Sequence, residues 1–121
     1  MNKKILIVED DEFLVSAYEM KLKNRPCEFR TASNGEDALR LVEEFKPDVI
    51  LLDLVMPKKN GMETLKALKA MEITKKIPVI IASNLGYNDD IAKCISLGAK
   101  EYFIKSDINL DDLIDKLMKY V

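Results

Sequence analysis

The chain alternates short apolar runs with longer segments in which apolar residues recur at helical spacing. The strongest apolar runs occupy residues 5–8, 49–52, 79–82 and 102–104, and a weaker one lies around 28–32. Near-continuous apolar strands that alternate with amphipathic helices indicate a parallel sheet covered by helices on both faces. The pattern therefore predicts an α/β fold of five parallel strands and five helices.

Residues typical of helix ends divide these segments. We expect a first helix over about 13–24, and we expect Asn34 and Asn60, each followed by glycine, to open the second and third. Lys46 ends the second helix because the proline that follows it cannot continue a helix. Gly98 ends the fourth helix, since the left-handed conformation that follows a helix is easiest for glycine.

The core-facing side of each helix follows from apolar positions at i, i+3, i+4 and i+7. The residues predicted to face the core are Leu14, Ala17, Tyr18 and Leu22 in the first helix, Ala38, Leu41, Val42 and Phe45 in the second, Met62, Leu65 and Leu68 in the third, Ile91, Cys94 and Ile95 in the fourth, and Leu110, Leu113, Ile114, Leu117, Met118 and Val121 in the fifth.

Length and composition fit one globular domain over residues 1–121. The chain is 48% hydrophobic and 33% charged, which is ordinary for a folded domain. Its net charge of −2 argues against nucleic-acid binding, which normally requires a basic surface. No apolar run approaches the ~20 residues that cross a bilayer, and the residues before the first strand are too few for a signal peptide. We therefore expect a cytoplasmic protein that binds neither membranes nor, directly, nucleic acid.

Histidine is absent from the chain, and cysteine occurs twice. Without histidine, hydrolases of the Ser-His and Cys-His types are excluded, and histidine cannot carry a phosphoryl group here. Cys27 and Cys94 have neither the spacing of a zinc site nor that of a CxxC motif, and cytosolic thiols stay reduced. We expect both cysteines to be unreactive packing residues.

Polar residues follow the apolar runs at the points where the predicted strands end. Glu9 and Asp10 follow the first strand. Asp53 follows the third strand, Ser83 the fourth and Lys105 the fifth. The carboxyl ends of parallel strands share one edge of a sheet, where crevices bind ligands. We therefore expect three acids, one hydroxyl and one amine to converge on a single site.

The acid cluster is unfavourable unless a cation lies beside it. Carboxylates within ~5 Å repel by roughly 3 kcal/mol per pair at an effective dielectric constant of about 20. Carboxylate oxygens with room for water suit Mg²⁺. In that setting Asp53 is a candidate nucleophile that forms an acyl phosphate. Lys105 would pair with Asp53 in the empty site and with phosphate oxygens in a filled one, and Ser83 offers a hydroxyl to the same group.

Each of these residues also has a purely structural interpretation. A strand-end aspartate such as Asp53 often makes a turn, Ser83 alone would more often be a turn serine, and Lys105 alone could be a solvated surface lysine. Asp11 and Glu12 are better explained as helix-start residues, because acids interact favourably with the positive helix N-terminus. The combination at one sheet edge is what favours a functional site.

With these residues in view, the chain resembles a response-regulator receiver domain of two-component signalling along its whole length. The matching segments are ILIVED at the first strand, VILLDLVMP around Asp53, NG at the third helix, PVIIAS at the fourth strand and LGAKEYFIK at the fifth. The resemblance implies the flavodoxin-like fold, a doubly wound parallel sheet with strand order 2-1-3-4-5. It also implies a signalling domain that catalyses its own phosphorylation and dephosphorylation, rather than a turnover enzyme acting on an external substrate.

The resemblance assigns chemical roles to the site. It makes Asp53 the phosphoacceptor and Lys105 the catalytic lysine. It implies that Mg²⁺ is held by Asp10, Asp53 and the backbone carbonyl of Val55, while Glu9 acts through water.

The resemblance also implies a switch and partners. Ser83 would be the switch hydroxyl and Tyr102 the switch aromatic, and phosphorylation would alter the face formed by the fourth helix, fifth strand and fifth helix. The expected phosphoryl donor is a sensor histidine kinase or a histidine phosphotransfer protein. A homodimer through the same face is a further expectation.

Three positions depart from the commonest pattern of the family. Glu9 stands where aspartate is frequent, Asn84 where a small residue is usual, and Ser106 where proline usually follows the lysine. A cis peptide without proline costs ~2.5–4 kcal/mol, so the sequence does not specify the geometry of the peptide after Lys105. None of these changes removes a reacting group.

Other classes of protein share part of this chemistry. A phosphatase of the haloacid-dehalogenase type also uses Asp, Mg²⁺, Lys and Ser or Thr, but it needs a DxDx[T/V] loop where this chain has EDDE at 9–12. A flavodoxin needs a turn rich in Ser, Thr and Gly for the FMN phosphate, which these acids would repel. A binding module that keeps the fold and works unphosphorylated is the remaining alternative.

Overall fold

The computed structural model describes residues 3–56 and 60–121, in which five strands alternate with five α-helices. The strands are β1 (Lys3–Val8), β2 (Cys27–Ala32), β3 (Val49–Leu52), β4 (Val79–Ser83) and β5 (Glu101–Ile104). The helices are α1 (Glu12–Leu22), α2 (Gly35–Phe45), α3 (Gly61–Ala70), α4 (Asn88–Ser96) and α5 (Leu110–Met118), and a short 3₁₀ helix (Lys105–Asp107) follows β5. Pro57, which ends the motif after Asp53, lies outside the described residues.

The strands form one parallel sheet in the order β2-β1-β3-β4-β5, so the predicted fold and strand order are confirmed. Val8 of β1 lies opposite Leu52 of β3, which lies opposite Ile81 of β4. Ser83 of β4 lies opposite Ile104 of β5. The carboxyl ends of these four strands are therefore aligned at one edge of the sheet.

Two hydrophobic cores lie on opposite faces of the sheet, because successive strand residues point to opposite faces. One core packs β1, β3 and β4 against α2, α3 and α4, and it includes Leu6, Ile50, Ile81, Val42, Leu65 and Cys94. The other packs the same strands against α1 and α5, and it includes Ile5, Leu51, Ile80, Tyr18, Leu22 and Ile114. The central strands β3 and β4 are buried throughout, whereas the edge strands β2 and β5 are partly exposed.

Side-chain caps determine where most of the helices begin. Asp11, Asn34, Asn60 and Asn109 each accept a hydrogen bond from a backbone N–H in the first turn of α1, α2, α3 and α5. Such a cap typically contributes ~1 kcal/mol. At α4 the cap position is Tyr87, and within the described residues no side chain caps this helix. The start of α4 therefore depends on its tertiary contacts.

The helix ends agree closely with the sequence pattern. Lys46 caps the end of α2 as predicted, and Lys46 itself adopts a left-handed conformation with φ 53°, which the sequence did not indicate. Gly98 follows α4 with φ 110°, as predicted. α1 ends at Leu22, slightly before the predicted end near 24, and the Arg25 N–H closes a tighter turn to the Leu22 carbonyl at 2.9 Å. Pro26 disfavours the helical conformation at Arg25, which explains the earlier end.

The buried side of α4 is narrower than predicted. Cys94 is fully buried and Ile91 is half-buried, but Ile95 is 46% exposed, so the prediction that Ile95 faces the core was wrong. α4 packs beside the edge strand β5, and the sheet covers only a narrow part of the helix surface. Helical spacing identifies the apolar side of a helix but not how much of that side the sheet reaches.

The cysteines are free thiols in the described part of the chain, as expected. Cys94 is buried and Cys27 half-buried, and burial raises the pKa of both thiols, which disfavours the reactive thiolate.

Among the described helices, none is long and apolar enough to cross a membrane.

Gly61 allows α3 to begin directly beside the end of β3. Its N–H donates to the Leu54 carbonyl at 2.9 Å. A Cβ at this position would lie 2.1 Å from the carbonyl oxygen of Asp53 and 2.5 Å from the Cα of Leu54. Both atoms belong to the backbone and cannot move aside easily, which explains the glycine of the Asn-Gly pair.

We expect Gly61→Ala to destabilise the protein by about 1–3 kcal/mol, the usual cost of overpacking, because the added methyl group would push α3 away from β3. Gly86→Ala is a matched control, since a Cβ there would meet only the flexible end of the Ile104 side chain, at 3.3 Å. Urea unfolding of both variants measures the difference. Equal stability of the two variants would contradict the close approach of α3.

Candidate functional site

The ends of β1 and β3 bring two acids together. The N–H of Asp53 donates to the Val8 carbonyl at 3.0 Å, and the N–H of Glu9 donates to the Ala32 carbonyl at 2.9 Å, so the strand ladder holds both residues. Glu9 is 3% exposed and Asp53 is 6% exposed. Acids are almost never so deeply buried without a partner. Their partner should therefore lie close by.

Lys105, which follows β5, is that partner. Its Nζ lies 2.6 Å from Oε1 of Glu9 and 3.5 Å from Oδ1 of Asp53, and its side chain is 17% exposed. The expected pairing with Asp53 is present, but the closer partner is Glu9, which the sequence pattern does not indicate. Glutamate is one methylene longer than the aspartate frequent in the resembling family, so its carboxylate reaches farther from the strand.

Both carboxylate oxygens of Glu9 are engaged by the protein. Oε1 accepts from Lys105, and Oε2 accepts from the backbone N–H of Asp11 at 3.2 Å. Burial raises the pKa of Glu9, the hydrogen bond from Lys105 lowers it in part, and the charge of Asp53 raises it. The pKa is raised on balance, so the site disfavours the negative charge that it holds.

Asp10 completes a group of three carboxylates. One oxygen from each of Glu9, Asp10 and Asp53 lies within 4.8 Å of the others. Asp10 is exposed, so the group opens to solvent. Hard oxygen ligands beside an opening with room for water fit a divalent cation. The structure thus brings the three acids and Lys105 together, and the acids form a metal-binding triad whose charge one ammonium does not balance.

Ser83 and Tyr102 lie at the same sheet edge and bond to the loop between β4 and α4. Ser83 is 1% exposed, and its Oγ accepts from the N–H of Leu85 at 3.2 Å. The hydroxyl of Tyr102 donates to the Leu85 carbonyl at 2.5 Å. Burial raises the pKa of Tyr102, and the Ser83 hydroxyl lowers it in part. Leu85 therefore links the two side chains.

Asp11 serves the fold rather than the acid cluster. Its Oδ1 accepts from the N–H of Phe13 at 3.0 Å and from that of Leu14 at 3.2 Å. These bonds satisfy two donors of the first turn of α1. The interpretation of Asp11 as a helix-start residue is confirmed.

The positions around the opening are partly polar and partly apolar. The side chain of Val55 is 61% exposed, and Asn84 is exposed. Ser106 continues from Lys105 into the short 3₁₀ helix, and the described residues contain no cis peptide bond. The role of the Val55 carbonyl as a metal ligand stays a prediction.

Tyr18 is a neighbour of the site that the sequence pattern places only in the core. Its side chain is 1% exposed and packs in the core beneath α1 and α5. Burial raises the pKa of its hydroxyl, and the charges of Glu9 and Asp53 raise it further. The helical stripe predicts only core packing for Tyr18, so the sequence carries no signal that places it near the acids.

The comparisons with known sequences agree with this geometry. Residues 5–118 match the family model of the response regulator receiver domain. The alkaline phosphatase synthesis transcriptional regulatory protein PhoP of Bacillus subtilis (strain 168) is 36% identical over 105 residues, which cover 87% of this chain and 43% of that protein. The chain spans about half, or less, of the length of the first curated relatives it matches.

Solved structures show the same fold, one of them bound to a divalent cation and another phosphorylated. The Mn²⁺-bound form of response regulator Rcp1 is 31% identical with a TM-score of 0.82, covering 97% of this chain and 90% of that one. The phosphorylated cyanobacterial phytochrome response regulator RcpA is 34% identical with a TM-score of 0.85, covering 98% of this chain and 91% of that one. On its sequence, fold and acidic site, the chain belongs to the response regulator receiver domain family, the phosphoacceptor modules of two-component signalling, which are not turnover enzymes.

Proposed function

We propose that Asp53 accepts the phosphoryl group and that the domain spanning residues 1–121 works as the switch of a phosphorelay. One observation carries this assignment: the Lys105 ammonium lies 2.6 Å from Glu9 and 3.5 Å from Asp53, beside an opening bordered by three carboxylates. A buried carboxylate flanked by a fixed positive charge and a cation site has the parts that phosphoryl transfer needs.

The transfer is a displacement at phosphorus. An oxygen of Asp53 attacks, and the bond from phosphorus to the donor atom breaks with its electron pair leaving on the donor. Lys105, whose ammonium already lies beside Asp53, would pair with a phosphoryl oxygen there and stabilise its charge. Mg²⁺ bound at the triad would supply further positive charge to the phosphoryl oxygens.

The oxygen atoms around the site would contact Mg²⁺ in two ways, directly or through water. Asp10, Asp53 and the backbone carbonyl of Val55 would contact Mg²⁺ directly. Glu9 would act through water, because Lys105 and the N–H of Asp11 already occupy its two oxygens.

These 121 residues contain no histidine, so a phosphohistidine donor would lie outside this domain. A phosphohistidine on a sensor histidine kinase or on a histidine phosphotransfer protein fits this requirement, and a small acyl phosphate could react in the same way. Because receivers of this family are typically cytoplasmic, we place the chain in the cytoplasm.

Ser83 and Tyr102 would report the change to the surface. A phosphoryl oxygen that accepts from the Ser83 hydroxyl would draw this side chain toward Asp53. Because Ser83 and Tyr102 both bond to Leu85, the loop and the tyrosine would follow, and Tyr102 would turn inward.

The face formed by α4, β5 and α5 would then change its binding. α4 supports this proposal because its fully buried residue is Cys94, so a shift of the helix disturbs little packing. Tyr87 is 73% exposed and Ile95 is 46% exposed, which gives this face apolar surface for a partner or for a homodimer.

Phosphoryl acceptance should depend on one carboxylate. We expect Asp53→Ala to abolish labelling by acetyl phosphate with Mg²⁺, because the nucleophile is lost. Asp11→Ala should still label, since Asp11 caps α1 and its loss costs ~1 kcal/mol of stability. Intact-mass spectrometry detects the added phosphoryl group. An adduct on Asp53→Ala, or none on folded Asp11→Ala, would contradict the assignment, and no adduct on the unsubstituted protein would favour the unphosphorylated binding module.

Removing a charge from the triad should stabilise the metal-free protein. We expect Asp10→Asn to raise the free energy of unfolding by about 1 kcal/mol, at the low end of carboxylate repulsion because the Asp10 side chain is exposed and screened. The same change should reduce the stabilisation by millimolar Mg²⁺, because a ligand is lost. Thermal melts with and without Mg²⁺ measure both effects.

Glu43→Gln is the control for that experiment, because Glu43 is an exposed acid of α2, outside the site. It should leave the Mg²⁺ effect unchanged. If Asp10→Asn melts below the unsubstituted protein without metal, the crowded carboxylate site is refuted.

The phosphorylated form should be long-lived for a receiver, because Val55 and Leu85, two positions after Asp53 and Ser83, are apolar. Both residues line one cleft, together with Leu54, Met56, Asn60 and Met62. Neither Val55 nor Leu85 can orient a water for attack on phosphorus, and such assistance typically contributes ~10²-fold or more.

We therefore expect Val55→Asn combined with Leu85→Glu to speed phosphate loss by about tenfold or more, since the new polar groups can orient the water. Decay of the phosphorylated band on Phos-tag gels at constant Mg²⁺ measures the rate. Ile73→Asn, at an exposed apolar position outside this cleft, should leave the rate unchanged. Equal half-lives for the double variant and the unsubstituted protein would show that Asn84, or another group, controls water access.

A further inference from the structure

A cavity adjoins Lys105 on the side of α1 and α5. Its volume is about 150 Å³, and it is lined by Leu14, Tyr18, Lys105, Ile108, Leu110 and Leu113. Apart from the lysine and the tyrosine, the wall is aliphatic. The aliphatic part of Lys105 therefore has apolar neighbours, while its ammonium lies at Glu9 and Asp53.

The ammonium must be held in place for the proposed transfer. A lysine side chain has four rotatable methylenes and loses much conformational entropy when its end is fixed. Apolar contacts along the stem reduce the alternatives open to such a side chain, which then keeps its charged end where its partners are. The side chains that line the cavity therefore limit the conformations available to Lys105.

Tyr18 is the large side chain of that wall. It is 1% exposed, and it is anchored from α1 into the core that α1 and α5 share. Its ring and the Lys105 side chain line the same cavity of about 150 Å³, so the ring borders the space next to the lysine stem. The ring therefore lies where it can limit the space into which the lysine could turn.

We propose that Tyr18 is a positioning residue for Lys105: its ring occupies the space beside the lysine stem and so keeps the ammonium at Glu9 and Asp53. This inference rests on the proposed function of the site. It makes the packing of α1 against α5 part of the phosphoryl-transfer machinery, although Tyr18 itself touches no reacting atom.

The test compares the rate of labelling by acetyl phosphate among variants, at a temperature where each is folded. Tyr18→Leu enlarges the cavity and should lower the rate by about tenfold, part of the ~100-fold that a misplacement of 1 Å can cost. Tyr18→Phe keeps the ring and should label at nearly the original rate. Leu14→Ala opens the same cavity from another position, and it carries the test if Tyr18→Leu does not fold.

Leu22→Ala is the control for a purely structural effect. Leu22 is buried in the same core but does not line the cavity, so this variant should melt lower and still label at the original rate. Lys105→Met provides the second arm. If Tyr18 acts through the lysine, adding Tyr18→Leu to Lys105→Met should cause no further loss.

The outcomes separate this inference from the function on which it rests. If the unsubstituted protein does not label, the proposed function fails. If the unsubstituted protein labels, and Tyr18→Leu and Leu14→Ala label as fast as it does, the positioning role is refuted. A loss that persists in the Lys105→Met background, or an equal loss in Leu22→Ala, would also overturn it.

Discussion

Unbalanced negative charge at the carboxyl edge of the sheet is the constraint on which the rest of the structure depends. Three carboxylates lie within 4.8 Å of one another, and Glu9 and Asp53 are buried with Lys105 as their shared cation. Mutual repulsion opposes this arrangement, by roughly 3 kcal/mol between the buried pair Glu9 and Asp53 and by less at the exposed Asp10. It persists because the strand ladder fixes the backbone of both buried acids, and because two apolar cores hold β1 against β3. The site is therefore an unfavourable cluster stabilised by a favourable fold.

That imbalance gives the site its capacity to respond. A ligand shifts a conformational equilibrium only as far as it binds the two states differently. A divalent cation beside the triad relieves repulsion that the empty site retains. A phosphoryl group on Asp53 would compete with Glu9 for Lys105, the cation on which both buried acids depend. Either event would change the balance of forces on the same few side chains, and this gives the domain a way to respond.

The sequence predicts the order of the elements and the residues that end the strands, because strand termini are set by local apolar patterning. Convergence at one edge follows from parallel topology, so Glu9, Asp10, Asp53 and Lys105 could be grouped in advance. The distances between these side chains could not be predicted in this way. The preference of Lys105 for Glu9 depends on how far each side chain reaches, and the exposure of Ile95 depends on where α4 crosses the sheet edge. Tyr18 fits the helical stripe as well as any leucine, so its position beside the acids follows only from three-dimensional packing.

The contacts of α4 support the proposal that this helix, rather than another, would carry the response. In the described chain, side chains cap the starts of α1, α2, α3 and α5, and each of these helices buries two or more residues. α4 has neither advantage, since Tyr87 provides no side-chain cap and Cys94 alone is fully buried among its residues. Segments with few buried contacts open at low free energy and are the ones from which moving elements are drawn. Hydrogen bonds from Tyr102 to Leu85 and from Leu85 to Ser83 connect this loosely held helix to the strand end beside Asp53. In the proposed switch, a small displacement at the acids would therefore be transmitted most easily toward α4.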